Sequence, residues 1–188
     1  MSSVVVGVSG ICYAPLLTDT GTAVTYGPVV QIPGAINVTI NPNATIETLF
    51  ADDGPSEVAT SLGAITVEMG LKYIPYAAQA ALLGHTVTAG VMNRKSTDIP
   101  PWVALGFKAL KSDGSYRFIW LVKGKFQLPE MSHETKAEGV NFQTQSITGS
   151  FVKRDTDNLW MKQGDTSDAA FLVPAQTAWF TLPTIVVP

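Results

Sequence analysis

Residues 102–126 read Trp102-Val-Ala-Leu-Gly-Phe107-Lys-Ala-Leu-Lys111-Ser-Asp-Gly-Ser115-Tyr116-Arg-Phe-Ile-Trp-Leu-Val122-Lys-Gly-Lys-Phe126. Two apolar arms flank a polar centre. Asp113-Gly114 is a strong hairpin dipeptide, because Gly accepts the positive φ that a tight turn demands. In the second arm Tyr116, Phe118, Trp120 and Val122 alternate with Arg117, Ile119, Leu121 and Lys123. Both faces are largely apolar, which predicts a central strand or one covered on both sides.

The same period of two recurs outward from this hairpin. Ile36, Val38 and Ile40 alternate with Asn37 and Thr39. Ile65, Val67, Met69 and Leu71 alternate with Thr66, Glu68 and Gly70. This is the pattern of a half-buried strand. A further strand pair is expected over 139–153, with Val140, Phe142 and Thr144 facing one way and Asn141, Gln143 and Gln145 the other. Shorter strands are expected at 3–8, 11–17 and 28–32, and Asp155-Thr-Asp-Asn158 reads as a turn.

Helix signals are few. Over 74–84, Pro75 suits a first helical position, Gly84 suits the left-handed stop, and Tyr76, Ala80 and Leu83 form a stripe. A second short helix is expected over 174–180, opened by Pro174, with Trp179 and Phe180 packing down. Many strands, Gly and Pro punctuation and one flanking α-helix predict a mainly β sandwich or barrel. One domain over 1–188 is the simplest division.

Residues 41–63 fit this scheme poorly. They link two convincing strands, yet Asn41-Pro42 and Asp52-Asp-Gly-Pro55 carry turn chemistry. Loops this long in compact domains are usually functional or disordered. Ile46, Leu49 and Phe50 argue against disorder, since large apolar side chains seek a partner. Two readings stand: a long extended loop that acts as an arm packing on something else, or a long hairpin folded back on its own sheet.

Composition narrows the function classes. The chain has 188 residues, 46% hydrophobic and 14% charged, with one cysteine, Cys12. The apolar content excludes disorder, and a single Cys excludes a disulfide scaffold. No apolar run approaches the ~20 residues of a helical span, and the N-terminus lacks the basic start of a secretion signal. A soluble protein kept in a reducing cytoplasm is the expectation. Net charge is −3, too mild to suggest nucleic-acid binding. Its placement is uneven: no Lys or Arg precedes Lys72, whereas residues 72–162 hold all twelve bases and seven acids. That division suits a subunit attracting copies of itself. Interleaving of segments in the fold is the simpler account.

No catalytic constellation stands out. His85 and His133 are far apart in sequence, and a lone Cys in an apolar strand is usually a small hydrophobe. Asp155-x-Asp157-Asn158 resembles the start of a calcium loop, but the Gly and the bidentate Glu that such a loop needs are missing. Asp52-Asp53 reads first as a turn. Phosphate-loop and dinucleotide fingerprints are absent from the sequence. No catalytic residue, metal ligand or cofactor is expected.

Several segments, in one order, carry a resemblance: Ile32-Pro-Gly-Ala-Ile36, Leu49-Phe-Ala-Asp-Asp-Gly-Pro55, Ala59-Thr-Ser-Leu-Gly63, Ala80-Ala-Leu-Leu-Gly-His85, Pro100-Pro-Trp-Val-Ala-Leu-Gly-Phe-Lys108, Ser112-Asp-Gly-Ser-Tyr-Arg117, Trp120-Leu-Val-Lys-Gly-Lys-Phe126 and Ile147-Thr-Gly-Ser-Phe151. Across nearly its whole length the chain resembles the major tail (tail tube) proteins of long-tailed bacteriophages with non-contractile tails, the phi-thirteen-type family. The resemblance implies a tail-tube-type β-sandwich with a flanking helix and no C-terminal immunoglobulin-like extension. It implies hexameric rings stacked into the conduit for DNA ejection. The implied partners are further copies of the chain, a tape-measure protein, tail terminator and tail-tip proteins, and phage DNA passing without sequence-specific contact. The implied location is the virion tail, assembled in the host cytoplasm.

Two expectations follow for particular residues. Asn37, Thr39, Thr66, Glu68, Asn141, Gln143 and Gln145 face the lumen, where a neutral or acidic wall lets DNA slide without the counterion release that bases would drive. Glu47, Asp52, Asp53 and Glu57 meet bases of an adjoining ring while Ile46, Leu49 and Phe50 supply burial. The alternatives are a tube protein of a related contractile injection or secretion system, and a monomeric β-sandwich module binding through Tyr73, Trp102 or Trp160.

Overall fold

The 102–126 hairpin is the centre of the molecule. The computed structural model describes residues 3–131, 144–171, 173–181 and 183. Strands β8 (Val103–Lys111) and β9 (Tyr116–Phe126) pair antiparallel. Their turn closes through a hydrogen bond from the Gly114 N–H to the Lys111 carbonyl at 3.0 Å, with Gly114 at φ 82°. Asp113 Oδ1 accepts from the Ser115 N–H, the Asx contact that favours Asp in turns.

The predicted strands at 3–8 and 11–17 are one element, β1 (Val5–Thr20), which pairs with β8 along its length. Small strands β2 (Ala23–Tyr26) and β3 (Val30–Gln31) flank its other side. Beyond β9 come β10 (Gln145–Phe151), then β5 (Gly54–Leu71), then β4 (Ala35–Ala51) at the edge. β11 (Met161–Asp165) pairs with the first half of β9. These nine strands form one antiparallel sheet, and β6 (Thr86–Thr88) with β7 (Val91–Asn93) forms a small second one. The expected barrel is not closed: β1 and β4 approach each other without pairing.

Burial confirms the two-sided reading of the central strands. Val103, Leu105, Phe107, Ile119 and Leu121 join Ile65, Val67, Met69, Leu71 and Phe151 in the main core. Ala104 and Trp120 face the other way, under Phe171 and Trp179. Trp120 Nε1 donates to the Trp179 carbonyl at 2.7 Å, so the buried indole keeps its hydrogen bond. Gly106 makes room for that ring; a Cβ there would lie 2.8 Å from the indole. Past Leu121 the pairing slips, with Val103 opposite Gly124 and Leu105 opposite Leu121. This irregularity turns Lys123 to the face of Trp120 instead of the core face that simple alternation assigns it.

Both expected helices appear, the second over Val173–Ala178. α1 (Tyr76–Leu83) ends on Gly84 at φ 76°, the left-handed cap. Pro75 is its N-cap, one position earlier than expected. The buried face is Ala78, Gln79, Leu82 and Leu83; the Tyr76, Ala80, Leu83 stripe is not the packing face, and Tyr76 is exposed. α2 (Val173–Ala178) leads into buried Trp179.

Residues 41–63 are regular structure. β4 and β5 pair from Ala35↔Leu71 to Ala51↔Gly54, with register shifts after Ala35, Pro42 and Leu49. Asp52 and Asp53, at φ 49° and 62°, form the two-residue turn. Positive φ at both central residues is the signature of the hairpin turn whose twist matches the strands, and Asp tolerates it better than most residues. The expected long extended loop is therefore a β-ribbon. Nor does it fold back: residues 43–62 are exposed apart from Gly54, which is half-buried.

Candidate functional site

The ribbon β4–β5 has an inner half on the body and an outer half, the arm, beyond it. Val38 opposes Met69, Ile40 opposes Val67, and Pro42 opposes Ile65. This face lies on the main core. β4 keeps its alternation past the body, so even-numbered residues stay on that face. Ala44 opposes Leu62, Ile46 opposes Thr60, and Thr48 opposes Val58. The face that is core inside the body thus continues outward as Ile46, Phe50, Val58 and Leu62, which join no core cluster among the described residues. Ile46 is 71% exposed, Phe50 69% and Val58 60%.

The opposite face is polar. On the arm it carries Thr45 opposite Ser61, Glu47 opposite Ala59, and Leu49 opposite Glu57. The hydroxyls of Thr45 and Ser61 lie 2.7 Å apart in a cross-strand hydrogen bond. Inward, the same face carries Asn37, Thr39, Thr66 and Glu68, and the Gly70 N–H donates to Asn37 Oδ1 at 2.7 Å. β10 extends it with Ser146, Thr148 and Ser150, which oppose Gly70, Glu68 and Thr66.

Four of the seven residues assigned to a lumen, Asn37, Thr39, Thr66 and Glu68, therefore share one exposed face. Asn141 and Gln143 lie outside the described residues. Gln145 does not join the four. It opposes buried Leu71, and its Oε1 accepts from the Ile74 N–H at 2.8 Å. Sequence reasoning placed it by extending an alternation from 139 onward; Ser146 holds the position instead.

The arm residues separate likewise. Phe50 and Ile46 lie on the apolar face, whereas Leu49, Glu47 and Glu57 lie on the polar one. One docking contact cannot bury Leu49 and Phe50 together from a single side. Asp52 and Asp53 occupy the tip. Among the described residues no ion pair reaches any of the four acids. The arm holds four acids and no base, so the remaining twelve bases and eleven acids leave the rest of the chain at +1.

Several charges of the body are paired within it. Lys123 Nζ lies 2.6 Å from Asp19 and 2.9 Å from Asp155. Burial favours the neutral form of Asp19, but hydrogen bonds from Lys123, the Asp155 N–H and Thr156 outweigh it and bring the carboxyl down to about 2. Arg154 holds Asp157 at 2.5 Å and reaches the Tyr26 hydroxyl at 3.3 Å. The residues that resembled a calcium loop, Asp155 and Asp157, are thus ion-pair partners of bases that pin the 154–158 turn onto β1 and β2.

Groups with nucleophilic or acid–base chemistry are also engaged. Burial pushes the Cys12 thiol up to about 12, and Sγ contacts the Gly106 carbonyl. A protonated thiol is a poor nucleophile. His85 Nδ1 lies 2.7 Å from Asp98 Oδ2, which also accepts from the Lys95 N–H. The pair fastens the segment after α1 to the start of the chain leading into β8. His133 lies outside the described residues.

No protein-family model matches this sequence, and a comparison with curated proteins finds no match either.

Proposed function

We propose that the chain is a structural subunit that joins copies of itself, and that the assembly is a phage-type tail tube of stacked rings. The observation that carries this reading is β4. It is a 17-residue strand at the end of the sheet order, with no hydrogen-bonded strand on its outer side among the described residues. It contains no Lys or Arg, and its only Pro is Pro42. Its guards are few for its length: one charge, Glu47, and register irregularities at Ala35/Asn37, Pro42/Ala44 and Leu49/Phe50. Long exposed edges recruit further strands, and proteins that stay monomeric blunt them with charge, bulges or covering segments. Closing a ring of copies through such edges removes the liability.

The two faces of the ribbon support the same reading. Its polar face carries amides, hydroxyls and the acids Glu47, Glu57 and Glu68, a surface that would let a polyanion slide past. Its apolar face gains stability when a neighbour covers it; burying Phe50 contributes about 1.5–3 kcal/mol. In this reading the polar face lines the conduit and the arm reaches the adjoining ring. A tape-measure protein, tail terminator and tail-tip proteins are the further partners the resemblance implies.

Negative-stain imaging of purified protein, at rising concentration, tests it. Rings or tubes are expected from the parent. Ile46→Ser combined with Phe50→Ser is expected to leave rings or single particles and no tubes. Single particles from the parent at every concentration, with one sedimenting species, would sink the proposal.

A further inference from the structure

The seam where β1 and β4 fail to pair opens a groove of about 410 Å³ into the main core. Its walls include Val5, Val6, Val8, Ile36, Val38 and Ile40, and its floor includes Phe107 and Ile119. Phe107 and Ile119 are core residues, so the groove, open to solvent along Val5, Val6 and Ile36, reaches down to the core. The apolar side chains on its rim lack the packing contacts that a neighbour would supply. Among the described residues that line it, Arg117 alone carries charge.

The arm of the same chain has the complementary chemistry. It presents an aromatic ring, Phe50, at its tip, next to a turn of two aspartates that make no ion pair among the described residues. Arg117 is free to take a second partner. Asp165 lies 3.3 Å from its Nη2 but is held more closely by Lys111. The arm does not fill the groove of its own body: among the described residues no arm residue lines it, and Phe50 is exposed.

We infer that the groove between β1 and β4 is the seat for the arm tip of a second copy. Phe50 fills the gap beside Val6 and Ile36, and Asp52 or Asp53 pairs with Arg117 at the mouth. Donor and acceptor are different patches of one chain, so each seated copy leaves a free arm and a free groove. Such a heterologous contact propagates as an open stack or closes into a ring by geometry alone. The charges set encounter and register more than strength. The inference rests on the self-assembly proposed above and names the surface that receives the arm.

Cysteine cross-linking reads the seat directly, because the native Cys12 is buried. Phe50→Cys protein is mixed with Val6→Cys protein under mild oxidation, and a disulfide-linked pair is expected on non-reducing gels. Phe50→Cys mixed with Met131→Cys, on the α1 side of the body, is the control and is expected to give at least tenfold less product. Charge reversal supplies a second readout. Arg117→Glu alone is expected to reduce tube formation, and Arg117→Glu with Asp52→Arg and Asp53→Arg in the same chain to restore it. Tubes from the parent, with no Phe50–Val6 product and no effect of Arg117→Glu, would overturn the seat and leave the tube standing. A cross-linked pair without tubes would uphold the seat and overturn the tube. Neither product nor tubes would overturn both, and a stronger Met131 product would place the arm elsewhere.

Discussion

The inner and outer halves of the β4–β5 ribbon continue one apolar face and live in different surroundings; the register shift between Pro42 and Ala44 keeps Leu62 and Val58 on the side that Ile65 and Val67 occupy inside. Over 35–42 and 65–71, the apolar face packs on the main core through Val38, Ile40, Ile65, Val67, Met69 and Leu71, and stays open along the seam with β1. Over 43–51 and 54–64, the same face continues as Ile46, Phe50, Val58 and Leu62 and is exposed, with no core residue among the described ones packed on it. The difference teaches that the pattern of a strand specifies a face and not what covers it. A stretch of regular, amphipathic structure without a floor is a request for a neighbour.

Charge gives the largest contrast between body and arm. Lys123 is buried between Asp19 and Asp155, so Lys123→Ala leaves Asp19 uncompensated and is expected to cost about 3–5 kcal/mol. Glu57→Ala on the arm is expected to change subunit stability by less than about 0.5 kcal/mol. Urea unfolding of the monomeric subunit measures both. The same network predicts a pH dependence. The Asp19 carboxyl is depressed when folded, so its stabilisation is complete above its ordinary value near 3.8 and fades as pH falls toward 2. Thermal midpoints between pH 4 and pH 2 are expected to fall more steeply in the parent than in Asp19→Asn.

The ribbon supplies the next contrast. Ile65 is buried on the inner half, and Ile65→Ala is expected to cost about 2–5 kcal/mol through lost burial and the cavity left behind. Ile46→Ala, the same change on the same face of the outer half, is expected to leave the isolated subunit unchanged within about 0.5 kcal/mol. A large loss at Ile46 would mean that the arm is held by its own body and would erase the contrast.

Legibility followed local chemistry. The β8–β9 hairpin was readable because Asp113-Gly114 fixes a turn and both strand faces are apolar. Ile65 to Leu71 was readable because strict alternation has one meaning at a buried sheet. The arm was not, since Leu49 breaks the alternation beside Phe50 and Asn41-Pro42 imitates a loop boundary. One signal was available: two aspartates before a glycine, flanked by Ile46, Phe50 and Val58 at even spacing, suit a two-residue hairpin turn. The unpaired seam was illegible, because no local pattern reports that β1 and β4, distant in sequence, stop short of pairing. The position of Gln145 failed for a related reason: period two has to be counted from the strand's own register, and a start at 139 counted it from elsewhere.

Glycine gives the finest contrast, and it separates space from conformation. Gly106 lies in β8 against the Trp120 indole, where an added Cβ would fall 2.8 Å from ring atoms. The neighbour is a large buried aromatic whose Nε1 is already hydrogen-bonded, so it has nowhere to retreat, and Gly106→Ala is expected to cost about 1–3 kcal/mol. Gly54 closes the arm turn opposite Ala51, with open space around it and no positive φ. Gly54→Ala there narrows the unfolded ensemble without a clash, and a gain of about 0.4–1 kcal/mol is expected. Urea midpoints with unchanged slopes are the measurement. A loss at Gly54 in the isolated subunit would mean that the arm turn is strained before it meets a neighbour, and the tip would then be poised by conformation as well as by exposure.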